Sequence, residues 1–371
     1  MIDIYLWGAG HIADLALLGA EDNNICLSSN MTFNIKGIID NDLSKRGCLF
    51  HGFKIVSPGE AIEGGFDYIA ILMENEWDVS IQAKYGYRIP EEKVKDKYFF
   101  LKLLLIEKYS GTKDYEIKKT IEYLKKNDLT MFNQSLPKRE HNHPVIWDKK
   151  NNLPYIEFED VTNQIQRMYF PRNYQFTNRD GMQFCEDMNW EQMPSSPHLY
   201  VTSDHGVSEG GVIVDGGVCE GNFALKYLSI AAKMFLFEPD WWWDEPNYYT
   251  FLPFKDKIEY SHKALSNYDS RLTTRLDSIV SQNEKVTFIK LDIEGHEADA
   301  IEGAENTFRN NCVKASVCCY HRNDDLELLE RRFKEYGYET RCSNGNVVFL
   351  WDEDVWHSLS IRKCVVYASK G

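Results

Sequence analysis

The stretch Val212-Ile213-Val214-Asp215-Gly216-Gly217-Val218-Cys219-Glu220-Gly221-Asn222-Phe223 constrains this chain more than any other. A β-branched apolar strand runs into an acid, a glycine-bearing turn follows, and a helix opens near Phe223. Twenty-three positions on (238 − 215), a second apolar strand, Met234-Phe235-Leu236-Phe237, ends in Glu238. Strand, glycine turn, helix, strand and acid at that spacing form the pattern of a nucleotide site in a doubly wound α/β sheet. The glycines let backbone approach the ligand, and the second acid accepts hydrogen bonds from both ribose hydroxyls.

Bulk properties narrow the partners. A chain of 371 residues exceeds one ordinary core, so two or three domains are expected. The formal charge of −15 argues against nucleic acid or an anionic membrane as the main partner, since it offers neither a cationic surface. The nine cysteines are odd in number and contain no C-x-x-C pair, which fits buried thiols in a reducing cytosol better than a disulfide framework. Charges interrupt every apolar run, so no membrane span is expected. The apolar start has no basic segment before it and carries Asp3 and Asp14, unlike a signal peptide. The expectation is a cytoplasmic protein.

Three blocks follow along the chain. Residues 1–105 open with strand Ile2 to Trp7, the turn Gly8-Ala9-Gly10-His11, and a helix from Ile12. A second strand, Phe33 to Ile39, ends in Asp40-Asn41-Asp42, and a third spans Asp67 to Leu72, which is Rossmann-type order. Residues 106–205 read as a connector, with an amphipathic helix from Asp114 to Lys126 and a hairpin pairing Val145–Trp147 with Leu153–Phe158. Residues 206–371 hold strand candidates 212–214, 234–237, 258–261, 286–291 and 314–320, and helices 222–232, 298–309 and 325–336. Asn344-Gly345 signals a two-residue hairpin near the end.

The third block also concentrates chemistry. Strand Val286 to Leu291 ends in Asp292-Ile293-Glu294-Gly295-His296-Glu297. In an open parallel sheet the carboxyl ends of strands line the ligand crevice, so these acids and His296 become candidates for binding and proton transfer. The plainer alternative is an acidic helix N-terminus facing its dipole.

Together these pieces resemble the FkbM family of S-adenosylmethionine-dependent methyltransferases. The resemblance covers roughly residues 206–371. It rests on Val214-Asp215-Gly216-Gly217 through Asn222, Phe237-Glu238-Pro239, Lys263-Ala264-Leu265-Ser266, Arg275-Leu276-Asp277, Ile289 through Glu297, and Tyr320-His321-Arg322. The family's first motif often reads Asp-x-Gly-Ala-Asn-x-Gly, whereas Val218-Cys219 stand at its Ala-Asn positions. The resemblance implies an α/β fold: a class I methyltransferase with a seven-stranded doubly wound sheet and an antiparallel last strand.

It also implies methyl transfer to a hydroxyl of a sugar or similar metabolite, with S-adenosylmethionine as cofactor. Asp215, Gly216, Gly217, Glu220, Gly221 and Asn222 would hold its amino-acid and sulfonium side, Glu238 and Pro239 its ribose, and Ala264 and Leu265 its adenine. Asp292 would border the methyl group, with Glu294 beside it.

A hydroxyl nucleophile must lose a proton, and His296 and His321 compete to accept it. A divalent cation held by these histidines with Asp292 or Glu294 is the alternative, although no spaced ligand motif demands one. Three consecutive tryptophans, Trp241-Trp242-Trp243, offer either a stacking platform or packing against the connector.

The N-terminal block resembles the small Rossmann-like domain of sugar N-acyltransferases, through Trp7-Gly8-Ala9-Gly10, Ile38 to Asp42, Phe50 to Ile55 and Ser57-Pro58. That resemblance implies a nucleotide-linked sugar acceptor bound at Gly8, Gly10, His11 and Asp40, in the setting of surface-polysaccharide biosynthesis. The rival readings are an NAD-linked sugar oxidoreductase and a non-catalytic sugar-nucleotide-binding scaffold. The first gives the Asp292–Glu297 cluster no purpose, and the intact acids Asp215, Glu238 and Asp292 argue against the second. The partners expected are a small-molecule acceptor and, as a candidate, a second copy of the chain.

Overall fold

The computed structural model describes residues 1–27, 31–136, 144–174, 191–281 and 283–370. Of the connector, 137–143 and 175–190 lie outside the described residues. The chain forms two compact units, Met1–Ser135 with Asn346–Ile361, and Leu136–Gly345 with Arg362–Gly371.

In the first unit β1 (Ile2–Trp7) runs parallel to both β2 (Phe33–Ile39) and β5 (Tyr68–Ile71). With β3 (Leu49–Phe50), β4 (Phe53–Val56) and β6 (Val94–Lys95), the sheet order is β3-β4-β2-β1-β5-β6, and only β3–β4 is antiparallel. Alternation along β1 explains the two covered faces. Ile4 and Leu6 enter one apolar cluster, while Tyr5 and Trp7 enter another on the opposite face.

The larger cluster draws on helices His11–Asp22 and Lys97–Lys108, the latter capped by Asp96, which accepts from Phe99 N at 3.0 Å. It also includes Val348, Val355, Trp356 and Leu359 from the late segment 346–361. Helix Asp354–Ser358 lies so close to the first helix that a Cβ on Gly19 would stand 2.0 Å from the Trp356 carbonyl oxygen. Nothing larger than glycine fits there.

The second unit opens with an antiparallel meander, β7 (Ile146–Asp148), β8 (Leu153–Glu159) and β9 (Ile165–Tyr169). The hairpin is where the sequence placed it; its third strand carried too few apolar residues to be read. The main sheet contains β10 (Val212–Gly216), β11 (Lys233–Phe237) and β12 (Ile258–Ser261). The short pair β13 (Ala264–Leu265) and β14 (Thr273–Thr274) stands apart from it. The main sheet continues with β15 (Val286–Leu291), β16 (Lys314–Cys318), β17 (Glu339–Cys342) and β18 (Val365–Ser369). Its order is β12-β11-β10-β15-β16-β18-β17, with β18 antiparallel to both neighbours. This is the seven-stranded class I methyltransferase arrangement expected from the sequence.

Three local readings differ, the first being the helix expected over 222–232, which ends at Tyr227. Asn344-Gly345 does not close a hairpin, because the chain between β17 and β18 leaves to complete the first unit. The helix expected over 298–309 is two, Glu297–Glu302 and Glu305–Asn310. The break falls at Gly303, where a Cβ would lie 1.9 Å from the Ser266 carbonyl oxygen.

Register places the site. Gly216 pairs with Phe237 on one side and Leu291 on the other, so Gly217, Glu238 and Asp292 emerge side by side at the carboxyl edge.

One buried histidine behind this sheet has a pH consequence. His205 is 4% exposed, lies against Phe288 and Tyr367, and its Nε2 is 3.1 Å from the Ala315 carbonyl oxygen. Burial, then Arg341 and Lys314, lower its imidazole from 6.5 to about 4. The unfolded chain therefore binds a proton below 6.5 that the folded chain refuses until about 4. Stability present above 6.5 is lost as pH falls through that window, by about 3 kcal/mol for a shift of this size. Urea midpoints at pH 7.5 and 5 should fall less far apart in His205→Gln than in the native chain; an equal fall would reject this assignment.

Candidate active site

The glycine turn after β10 is braced from beneath. Asp215 is wholly buried, and Lys290, 4% exposed on the neighbouring β15, places Nζ 3.1 Å from its Oδ1. The same ammonium donates to the Gly216 carbonyl at 3.1 Å and the Gly217 carbonyl at 2.5 Å. Apart from this ion pair, the Asp215 oxygens have no hydrogen-bond partner among the described residues. Burial raises the Asp215 carboxyl above the usual range while Lys290 opposes the shift.

Gly217 has φ +77°, and a Cβ there would lie 1.9 Å from the Asp292 carbonyl oxygen. At Gly221, φ +88°, a Cβ would strike the Phe251 ring at 2.5 Å. Cys219 between them also holds a positive φ, +50°, and its carbonyl accepts from Asn247 Nδ2 at 2.9 Å. Glu220 is buried, and burial raises its carboxyl. Asn222 begins the following helix, its Oδ1 accepting from Phe223 N.

Glu238 caps this arrangement, its Oε2 accepting from Cys219 N at 2.8 Å and its Oε1 from Asp240 N at 2.9 Å. Each oxygen keeps a lone pair for a ligand hydroxyl. Pro239 is exposed, Ala264 is half-buried, and buried Leu265 would contact a side chain at position 216 at 2.9 Å. The turn is thus a cradle of backbone and apolar side chain with an acid at its rim. Of the residues expected to hold S-adenosylmethionine, Gly216, Gly217, Gly221, Glu238 and Leu265 lie at this turn, and open backbone beside an acid and an apolar side chain suits its amino-acid, ribose and adenine parts.

Around Asp292 lies a second array. Tyr200 donates to its Oδ2 at 2.6 Å and Tyr320 to its Oδ1 at 3.4 Å. His198 Nε2 lies 3.4 Å from Oδ2, and His321 Nε2 lies 3.4 Å from Oδ1. Burial would raise the Asp292 carboxyl, but His198, then Lys290 and His321, hold it well below the usual range. On its other ring nitrogen His321 lies 3.0 Å from Glu297 Oε1, and its Nε2 is 3.6 Å from Glu294 Oε2. Burial alone would depress the His321 imidazole, but Glu297, Asp292 and Glu294 carry it up to about 9.

Of the two histidines in competition, the structure brings His321 to Asp292 and not His296. His296 caps helix Glu297–Glu302, its side chain 60% exposed and 4.0 Å from Asp299. Trp241 is exposed and Trp243 is buried against Tyr174. Arg172 pairs with Glu245.

Gly8, Gly10, His11 and Asp40 belong to the other unit. There Asp40 Oδ2 already accepts from Ala9 N and Lys45 Nζ, both at 3.0 Å, and exposed His11 lies 3.3 Å from Glu353.

Sequence reasoning missed His198, Tyr200, Lys290 and Tyr320 as parts of the site, whereas Glu297 was among the acids it singled out. Lys290 carried a readable signal, a lysine in an otherwise apolar strand one residue before the acid. His198 and Tyr200 carried none, because they reach Asp292 across 92 positions of sequence in the Tyr200 case.

Residues 230–340 match the family model described as the methyltransferase FkbM domain. The match holds Glu238, Asp292, Glu294, Glu297 and His321, and the Asp215 turn lies just ahead of it. No curated protein matches the chain in sequence. Among solved structures, a methyltransferase FkbM from Methylobacillus flagellatus KT is 15% identical, with 99% of this chain and 90% of that chain covered and a TM-score of 0.43. A precorrin-6y C5,15-methyltransferase from Geobacter metallireducens is 10% identical over 45% of this chain and 85% of that one, at TM-score 0.32. A SAM-dependent O-methyltransferase from Thermotoga maritima is 13% identical over 44% and 60%, at 0.29. At these scores the assignment rests on the family model. Residues 230–340 match the methyltransferase FkbM domain, and the chain is an S-adenosylmethionine-dependent methyltransferase.

Proposed function

We propose that the second unit is an O-methyltransferase acting on a hydroxyl of a sugar or glycan precursor. The observation that carries this reading is the row of three acids, Asp215, Glu238 and Asp292, at the carboxyl ends of three adjacent strands. S-adenosylmethionine supplies an activated methyl group. Gly217 and Gly221 present backbone to its amino-acid end, Glu238 accepts from the ribose diol, and Leu265 flanks the adenine. Asp215 acts through Lys290, fixing the turn rather than touching the ligand. Holding the acceptor oxygen in line supplies much of the rate in such a displacement. The hydroxyl proton passes to the polar cluster around Asp292, whose carboxylate is partly exposed.

The first unit supports the sugar part of the reading, as a Rossmann-type sheet with Gly8, Gly10, His11 and Asp40 at its carboxyl edge. A nucleotide-linked acceptor would bind there, which would place the reaction in surface-polysaccharide biosynthesis. Cys318, Cys319 and Cys364 are free thiols, in keeping with a cytoplasmic setting, and no helix among the described residues is long and apolar enough to cross a membrane. A homodimer is part of the proposal.

Isothermal titration of the full chain with S-adenosylhomocysteine and, separately, NAD tests the cofactor. The first should bind and the second should not; NAD binding alone would overturn the reading. Glu238→Ala should weaken S-adenosylhomocysteine about 10- to 100-fold, the worth of a charge-assisted hydrogen bond. An unchanged affinity would remove Glu238 from the ribose site.

A further inference from the structure

Three carboxylates converge on one imidazole at the edge of this site, Asp292 and Glu294 on its Nε2 and Glu297 on its Nδ1. His321 Nε2 stands 3.4 Å from Asp292 Oδ1 and 3.6 Å from Glu294 Oε2. A cation with bonds near 2.1 Å sets neighbouring donors roughly 3.0–3.4 Å apart, depending on geometry. The Asp292–His321 pair already matches that separation. Glu294, 82% exposed at its side chain, has the freedom to close the remainder.

The opposite ring nitrogen completes the picture. His321 Nδ1 lies 3.0 Å from Glu297 Oε1, which also accepts from Ile293 N at 2.9 Å. A carboxylate on one imidazole nitrogen fixes the ring so that the other nitrogen faces outward as a donor, the usual support behind a ligating histidine. Glu297 is 1% exposed, and its Oε2 has no hydrogen-bond partner among the described residues. A carboxylate oxygen is rarely buried without compensation, and a cation held through His321 would add positive charge on the same side of the fold. Asp292, Glu297 and His321 each offer a ligand atom within 4.8 Å of the others.

The loop is built to hold these groups. Glu294 adopts φ +57°, and a Cβ on Gly295 would meet Arg322 Nε at 2.9 Å and His321 Cβ at 3.5 Å, so the loop packs directly on the His321 segment.

We propose that Asp292, Glu294 and His321 bind a divalent cation, with Glu297 orienting His321. One imidazole with two carboxylates suits Mn2+ or Zn2+. The exposed Glu294 leaves an entry path and open coordination positions. A cation there would lower the pKa of an acceptor hydroxyl that reaches it, easing loss of the proton that methyl transfer requires. That purpose rests on the O-methyltransferase reading; the binding itself does not.

The test uses the full chain after chelator treatment, titrated with MnCl2 by electron paramagnetic resonance of the free ion and with ZnCl2 by calorimetry. One ion per chain is expected. Glu294→Gln, an exposed substitution that leaves the core intact, should weaken binding at least tenfold. Glu297→Gln should weaken it about 10- to 100-fold, as loss of an orienting partner does. Binding of neither ion, or affinities untouched by Glu294→Gln, would overturn the site. S-adenosylhomocysteine titrated into the same sample separates the two readings. Cation binding without it would uphold this site while removing the cofactor assignment, and its binding with no cation would do the reverse.

Discussion

Lys290→Met is expected to cost the second unit about 3–5 kcal/mol, the range for removing one partner of a buried ion pair. The size follows from what the ammonium neutralises. Asp215 is wholly buried and Lys290 is 4% exposed, so neither charge can turn to water when the other is lost. Lys290 also donates to the Gly216 and Gly217 carbonyls, and methionine leaves both without that donor. The Asp215 carboxyl, already raised by burial, would then take up a proton at higher pH still. Urea unfolding of both proteins measures the loss, and a midpoint equal to that of the native chain would show that the pair does not brace the turn. Pairing Lys290→Met with Asp215→Leu should recover part of the loss, since an apolar pair of similar volume is often no worse than a buried ion pair.

Gly217→Ala should have a comparable effect, concentrated on the ligand. Its φ of +77° costs a non-glycine residue about 1–2 kcal/mol. The new Cβ would stand 1.9 Å from the Asp292 carbonyl oxygen, and backbone cannot swing aside as a flexible side chain does. Displacement of that kind adds about 1–3 kcal/mol and moves Asp292 with it. S-adenosylhomocysteine affinity should fall more than tenfold. Gly210→Ala is the control, since Gly210 shares a positive φ, +70°, with nothing within 4 Å of its would-be Cβ. Equal effects from both variants would mean that backbone conformation alone, and not the close approach to Asp292, makes position 217 special.

Much of the catalytic half was legible because its strands are short, apolar and end in acids. Strands near 212, 234, 258 and 286 stand where the alternation and β-branching put them, and their parallel register then forces Glu238 and Asp292 beside the turn. The helix-breaking Gly303 was illegible because its cause, the Ser266 carbonyl, lies on a distant loop. Polar partners failed for the same reason. Tyr200 and His198 meet Asp292 only through tertiary folding, and of the two histidines the sequence left in competition the helix start turns His296 outward. Sequence periodicity reports which face an element buries, and says little about which polar tips meet above the sheet.

The excursion of residues 346–361 ties the two units into one inheritance. During synthesis from the amino terminus, the groove around Ala16, Leu17 and Gly19 is made long before Val355 and Trp356 exist to fill it. The first unit thus waits, apolar and incomplete, until nearly all of the methyltransferase unit has been translated. Until then that apolar face lacks the residues that cover it. The excursion also forbids modular reuse. A single cut in the gene cannot separate the units, because a break near residue 135 strips the first of its closing helix and leaves the second carrying an orphaned one.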